Sequence, residues 1–152
     1  MRVLIAAVGR MKAGPLRELC AEYAGRMTWP VVVREVEIKK SLAVDERRRQ
    51  EAELLRAACP QGARRVVLDE RGASLSSDMF ARRLGCWRDE GVGDLAFLIG
   101  GADGVDPSLR GDADLVLSFG LMTWPHMLIR GMLAEQLYRA QQILAGHPYH
   151  RA

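Results

Sequence analysis

The sequence predicts an α/β fold, a mostly parallel sheet with helices on both faces. Two observations carry it. Short apolar and β-branched runs alternate with longer stretches of helical periodicity. Each strand-like run is then separated from the next by enough chain for a crossover helix, which parallel pairing requires. Arg2 to Val8 (RVLIAAV) reads as a buried first strand ended by Gly9 rather than as a signal peptide. Pro15 to Met27 reads as a helix, with Leu16, Leu19, Cys20, Tyr23 and Met27 on one stripe. Val31 to Ile38 is the second strand, and Asp45 to Ala58 a charged helix stopped at Cys59-Pro60. Arg65 to Leu68 is a short third strand. Ser76 and Ser77 can cap a helix running to about Glu90. Asp94 to Ile99 and Leu115 to Ser118 are the fourth and fifth strands. The longest helix runs from about Pro125 to Ala145, stopped by Gly146.

The 152 residues suit one domain, 1–152, large enough to fold without a disulfide or metal staple. Apolar residues make up 49% and charged residues 27%, which excludes a disordered chain, a collagen and a coiled coil. No apolar run approaches the roughly 18 residues of a membrane span. Cys20, Cys59 and Cys86 form no CxxC, which suggests free thiols in a reducing cytoplasm. The net charge is +3, from 22 basic and 19 acidic residues, which does not by itself imply nucleic acid. Only Lys12, Lys39 and Lys40 are lysines; the other basic residues are all arginines. That bias suits phosphate recognition by a planar fork, and equally suits an arginine-rich codon usage.

In parallel sheets, ligands sit at the carboxyl ends of the strands. The loops after Leu68, Ile99 and Leu117 are therefore the ones that bear on function. The second opens with Gly100-Gly101, where a ligand could approach the backbone closely, or where a solvated turn simply needs glycine. It is neither GxGxxG nor a phosphate loop. Between Ala102 and Asp114 it carries Asp103, Asp106, Asp112 and Asp114 against Arg110, a local charge of −3, unsuited to a polyphosphate but tolerant of a cationic ligand. The third loop, SFGLMTWPH, offers either an apolar wall for a flat ring or a helix entry with a buried Trp124. The ending GHPYHRA holds His147 and His150 at H-x-x-H spacing, but Pro148 intervenes and no carboxylate or Cys is near, so no metal is expected. It reads as a polar tail or as a substrate-contact tail. On the long helix, Ile129, Met132, Leu133, Leu137, Ala140 and Leu144 form one face. Gly131, Glu135, Tyr138 and Gln142 form another, with Arg130 and Arg139 beside it. Such a helix can pack its own sheet and a partner chain.

LDERGASLSS, FLIGGADG, LSFGLMTWPHMLIR, LAEQLYRA and HPYHR occur in the order and spacing of one family, and VGR and EYAGRM near the start also fit. The chain resembles, over nearly its whole length, the RlmH family, ribosomal RNA large subunit methyltransferases that act on N3 of a pseudouridine and belong to the SPOUT superfamily. The resemblance implies a cytoplasmic homodimer with a deep trefoil knot toward its C-terminal half. It also implies S-adenosylmethionine as methyl donor and 23S ribosomal RNA of the large subunit, in assembled ribosomes, as substrate. Neither a metal nor a membrane is implied. Carried over by position, the cofactor residues are Leu68, Gly100, Gly101, Phe119, Gly120, Leu121, Met122, Thr123 and Trp124. Base candidates are His126, Glu135 and His150. Tyr149, His150 and Arg151 are expected to reach the RNA, from the second subunit; Arg130 and Arg139 are expected at phosphates or at the dimer contact. The other readings are a different SPOUT RNA methyltransferase (ribose or tRNA base), a non-catalytic ribosome-binding module, and a flavodoxin-like phosphate binder, the last disfavoured by the acidic loop.

Overall fold

The computed structural model describes residues 1–151, except for the side chain of His150. Five strands, β1 (Arg2–Val8), β2 (Val31–Val36), β3 (Arg64–Ser74), β4 (Asp94–Ile99) and β5 (Leu115–Ser118), form one sheet in the order β2-β1-β4-β3-β5. All its pairings are parallel, as the alternation predicts. The helices are α1 (Pro15–Arg26), α2 (Val44–Ala58), α3 (Ser77–Asp89), α4 (Pro107–Gly111) and α5 (His126–Leu144), followed by a 3-10 turn at Pro148–His150.

The central strands read as continuous apolar runs because both faces of a parallel sheet are covered. Alternate side chains go to opposite layers. Val3, Ile5 and Ala7 of β1, with Leu95, Phe97 and Ile99 of β4, join Phe80, Leu84 and Trp87 of α3 and Leu133, Leu137 and Ala140 of α5. Leu4, Ala6 and Val8, with Ala96 and Leu98, meet Ala52 and Leu55 of α2 and Leu109 of α4. The Ser76 hydroxyl accepts from the Met79 amide at 3.2 Å and caps α3, as its position before the helix predicts. No helix among the described residues is long and apolar enough to cross a membrane.

Three features differ from the sequence expectation. β2 stops at Val36, the last residue with a partner on β1 (Val8). β3 does not end at Leu68: it shifts register and resumes along β5, so that Leu68 and Ala73 both face Leu117. This extension is polar (DERGAS), and strand periodicity cannot find it. It depends on Gly72, where a Cβ would stand 2.5 Å from the Val116 carbonyl oxygen. On α1 only Cys20 of the expected stripe is buried, and Leu16 and Leu19 are each 36% exposed. The helix packs on α5, where a Cβ at Gly131 would meet Leu19 Cδ2 at 2.8 Å.

Candidate functional site

The carboxyl ends of β3, β4 and β5 enclose a cavity of about 340 Å³. This lies within the usual range for small-molecule sites. Leu68 comes from β3, Gly100 and Gly101 from the end of β4, and Phe119, Gly120, Met122, Thr123 and Trp124 from the loop between β5 and α5. The three loops chosen from sheet geometry therefore meet in one place. Leu121, expected with them, does not line the cavity and is 92% exposed. The loop is pinned from within. Buried Ser118 accepts from the Gly120 amide and donates to the Gly120 carbonyl, both at 3.1 Å, and Trp124 Nε1 donates to the Phe119 carbonyl.

Gly100 shows why this wall is glycine. A Cβ there would lie 2.7 Å from Val105 Cγ1 and 2.8 Å from the Gly104 carbonyl oxygen. The turn closes on itself through the Gly104 amide, which donates to the Gly101 carbonyl at 3.1 Å. This turn lines the cavity beside apolar walls from Leu68, Ile99, Leu117 and Trp124. Such a lining suits a flat heterocycle whose edge is read by backbone donors and acceptors.

The charge around the cavity differs from the sequence reading of an acidic loop facing the ligand. Asp106 caps α4 through the Ser108 amide, Asp112 pairs with Arg56 at 2.9 Å, and Asp114 pairs with Arg64 at 2.8 Å. Of the four loop aspartates only Asp103 borders the cavity, together with Asp69 and Glu70 from β3. Arg48 and Arg71 oppose these three carboxylates, and Arg47 pairs with Asp103, so the rim is charged but not net acidic. Arg110 pairs with Asp69 at 3.2 Å and ties α4 to β3. Local sequence gave no sign of Asp69, whose acceptors are filled by Arg110 and by the Arg71 amide.

His126, at the first position of α5, also borders the cavity. Burial first, and the Arg130 guanidinium second, push its imidazole below the usual histidine value, so it is neutral at ordinary pH. Glu135 lies elsewhere. Its Oε1 accepts from Arg139 Nε at 2.9 Å and from the Tyr149 hydroxyl at 3.2 Å, and its Oε2 accepts from Gln136 at 2.8 Å. Arg139 stacks over the Tyr149 ring, 5.0 Å from its centroid, and Tyr138 meets that ring edge-on at 4.8 Å. Burial, then Tyr23 and Glu135, push the Tyr149 phenol upward, so it stays a donor. The tail is therefore docked on α5 at Glu135. Arg151 is exposed, and the His150 side chain lies outside the described residues.

Arg130 is not on the surface, where a phosphate or dimer contact would need it. It is 1% exposed and lies on the same buried stripe as Leu133 and Leu137. Its Nη2 donates to the Val8 and Gly9 carbonyls at 2.8 and 2.7 Å, and its Nη1 donates to Glu35 at 2.7 Å. It joins the entry of α5 to the ends of β1 and β2.

A second cavity of about 560 Å³ shares Leu117, Phe119 and Gly120 with the first. Its other walls are Leu19 and Tyr23 of α1, Phe80 of α3 and Met132, Glu135 and Gln136 of α5. It is the larger space, but the first has the convergent loops and charged rim expected of a cofactor site. Among the described residues no group of three or more His, Cys, Asp or Glu is placed to hold a metal ion.

The family model described as "Predicted SPOUT methyltransferase" matches residues 1–150. The chain belongs to the SPOUT methyltransferase family. It is 62% identical over 152 residues, all of both chains, to "Ribosomal RNA large subunit methyltransferase H" of Rhodospirillum centenum. Proteins of the same name from Paramagnetospirillum magneticum and Roseobacter denitrificans are 58% and 55% identical, each matched over 99% of both chains. The family places the enclosed cavity in a methyltransferase scaffold, and the full-length match agrees with the resemblance carried by the five motifs.

Proposed function

We propose that this chain methylates N3 of a pseudouridine in 23S ribosomal RNA of the large subunit, in the cytoplasm, with S-adenosylmethionine as donor. The observation that carries this reading is the convergence of the expected cofactor residues other than Leu121 on one cavity, in a chain that matches large-subunit RNA methyltransferases over its full length. The Gly100–Gly104 turn fits the donor's adenosyl part, because its close packing on itself shapes the cavity wall beside apolar Leu68, Ile99 and Leu117. Of the rim carboxylates, Glu70 is in no ion pair among the described residues and fits the cationic end of a ligand bearing a sulfonium and an ammonium. When bound, that cofactor supplies an electrophilic methyl group.

The chain's own contribution is placement and proton handling. The attacking imide nitrogen must give up its proton, and a positioned base contributes about 10²–10⁴-fold. Holding two reactants in line contributes an effective molarity of about 10⁵–10⁸ M, the larger effect. Of the base candidates with described side chains, neutral His126 borders the cavity, whereas both oxygens of Glu135 are engaged. Glu135 serves to seat Tyr149 and so to aim the tail.

The reading includes a homodimer. Glu135 is nine positions beyond His126 on α5, roughly 13 Å along the helix axis. A tail docked there is set back from its own cofactor cavity, and we assign it to the cavity of a second copy. Half-exposed Leu16 and Leu19 on α1, and the neighbouring cavity between α1 and α5, offer the surface for that copy. The knot implied by the family is part of the same reading.

The test is transfer of labelled methyl to large subunits and ribosomes from a strain lacking the endogenous enzyme, followed by nucleoside mapping. One methyl on pseudouridine N3 is the expected result. A methyl on a ribose or on a tRNA base, or none, overturns the reading.

A further inference from the structure

We propose that the β1–α1 and β2–α2 loops form a cationic surface that holds the RNA sugar-phosphate backbone beside the cofactor cavity. This deepens, and rests on, the assignment of an RNA substrate.

The three lysines of the chain are not scattered. Lys12 lies in the loop after β1, and Lys39 and Lys40 lie in the loop after β2. β1 is a parallel neighbour of both β2 and β4, so both loops emerge at the same carboxyl end of the sheet as the cofactor cavity. The loops are held together. The Gly9 amide donates to the Val36 carbonyl at 2.8 Å, the Met11 amide donates to Glu35 at 2.6 Å, and Arg10 lies 3.7 Å from Glu37. Arg17, at the start of α1, lines the same groove as Arg10 and Met11.

This surface keeps a net positive charge, since Glu35 and Glu37 compensate it only in part. Lys12, Arg17, Lys39 and Lys40 are exposed, and among the described residues none is in an ion pair. Glu35 is taken by Arg130, which leaves Glu37 alone against five cations. The arginines of α2 provide a contrast: Arg47, Arg48 and Arg49 are each matched by Asp103, Asp45 or Glu46. A net positive charge on two braced loops has the property that binds a polyanion with counterion release.

The location ties the surface to the reaction. A Cβ at Gly9 would stand 3.8 Å from Nε2 of His126, which borders the cofactor cavity. The cationic loop therefore begins beside that wall. Next to it, a groove of about 680 Å³ is lined by Arg10 and Arg17, by Val33, Ala21 and Ala24, and by Glu35, which Arg130 engages. Val33 is 43% exposed, because β2 is an edge strand that no helix covers fully. A strand with charged phosphates and less polar sugars fits such a lining. RNA crossing the two loops is led past His126 to the cofactor.

The experiment replaces Lys12, Lys39 and Lys40 together by alanine in the full chain, with Arg82, Arg83 and Arg88 on α3 replaced together as a charge-matched control. All six side chains are exposed. Affinity for S-adenosylmethionine should stay within twofold in both variants, which also shows that they fold. For methyl transfer to large subunits, KM of the lysine variant should rise at least about 10-fold with kcat little changed. The slope of log(kcat/KM) against log salt should become shallower by about two to three, the contribution of three phosphate contacts. An unchanged KM in the lysine variant, or an equal rise in the α3 control, overturns the proposal. A defect on subunits that disappears on protein-free 23S RNA points to a ribosomal protein as partner and also overturns it. Absence of transfer by the unsubstituted chain defeats the RNA-methylation reading itself.

Discussion

Gly100→Ala should abolish useful cofactor binding while leaving the chain folded. The added methyl would sit 2.7 Å from Val105 Cγ1, 2.8 Å from the Gly104 carbonyl oxygen and 3.0 Å from its carbon. Two of these three atoms are backbone, so no rotamer change relieves the clash, and the turn must open. Opening it breaks the Gly104-to-Gly101 hydrogen bond and moves the cavity wall. Overpacking of this kind costs about 1–3 kcal/mol of stability. The affinity for S-adenosylmethionine should fall at least about 30-fold, roughly 2 kcal/mol. Calorimetric titration with a parallel thermal melt measures both. An unchanged affinity would show that the donor does not bind between these loops.

Arg130→Met should destabilise the chain strongly. Methionine keeps the apolar stem in place among the packed side chains but removes the three donors that satisfy the Val8 and Gly9 carbonyls and Glu35. Taking one partner from a buried pair costs about 3–5 kcal/mol. Glu35 is 35% exposed and can be rehydrated, so about 2–4 kcal/mol is the expected loss. At roughly 2–4 °C per kcal/mol for a chain of this size, the melting temperature should drop by about 4–16 °C. Arg130→Lys should not rescue it, since an ammonium cannot reproduce the fork.

A pH signature accompanies the second variant. Burial alone would raise the Glu35 carboxyl, but the Met11 amide and then Arg130 outweigh it and hold the group below the ordinary carboxylate value. A carboxyl depressed in the folded state contributes stability above its unfolded pKa and loses it as pH falls through the folded value. The wild-type chain should therefore lose this contribution below about pH 4.5. Arg130→Met should show a shallower acid limb. An identical acid limb in both would remove Arg130–Glu35 from the account.

Arg130 also shows where sequence reading stops. Its position three before Leu133 and seven before Leu137 places it on the buried stripe, so the helical period held the signal. The residue type argued the other way, because arginine is rarely buried unless paired. Its partners, Val8, Gly9 and Glu35, lie about a hundred residues away and leave no local mark. The acidic loop misled for the same reason. Asp112 and Asp114 are neutralised by Arg56 and Arg64, some fifty residues earlier. What could be read was whatever depends on local period and on sheet geometry: the helices, the central strands and the three loops that meet at the cavity. The β3 extension could not be read, because its pairing with β5 is set by a close backbone crossing at Gly72 rather than by side-chain alternation.

The central claim is that one site is built from two chains, the cofactor cavity of one protomer and the Glu135-docked tail of the other. It is tested most directly by mixing two inactive variants, Gly100→Ala and a chain truncated after Gly146, and assaying methyl transfer to large subunits. Each variant alone should be inactive at a cofactor concentration well below the weakened Kd of Gly100→Ala. Subunit exchange should restore about a quarter of wild-type activity, because half of the dimers are mixed and each mixed dimer carries one complete site of two. A mixture as inactive as its components, with exchange verified, would contradict the two-chain site.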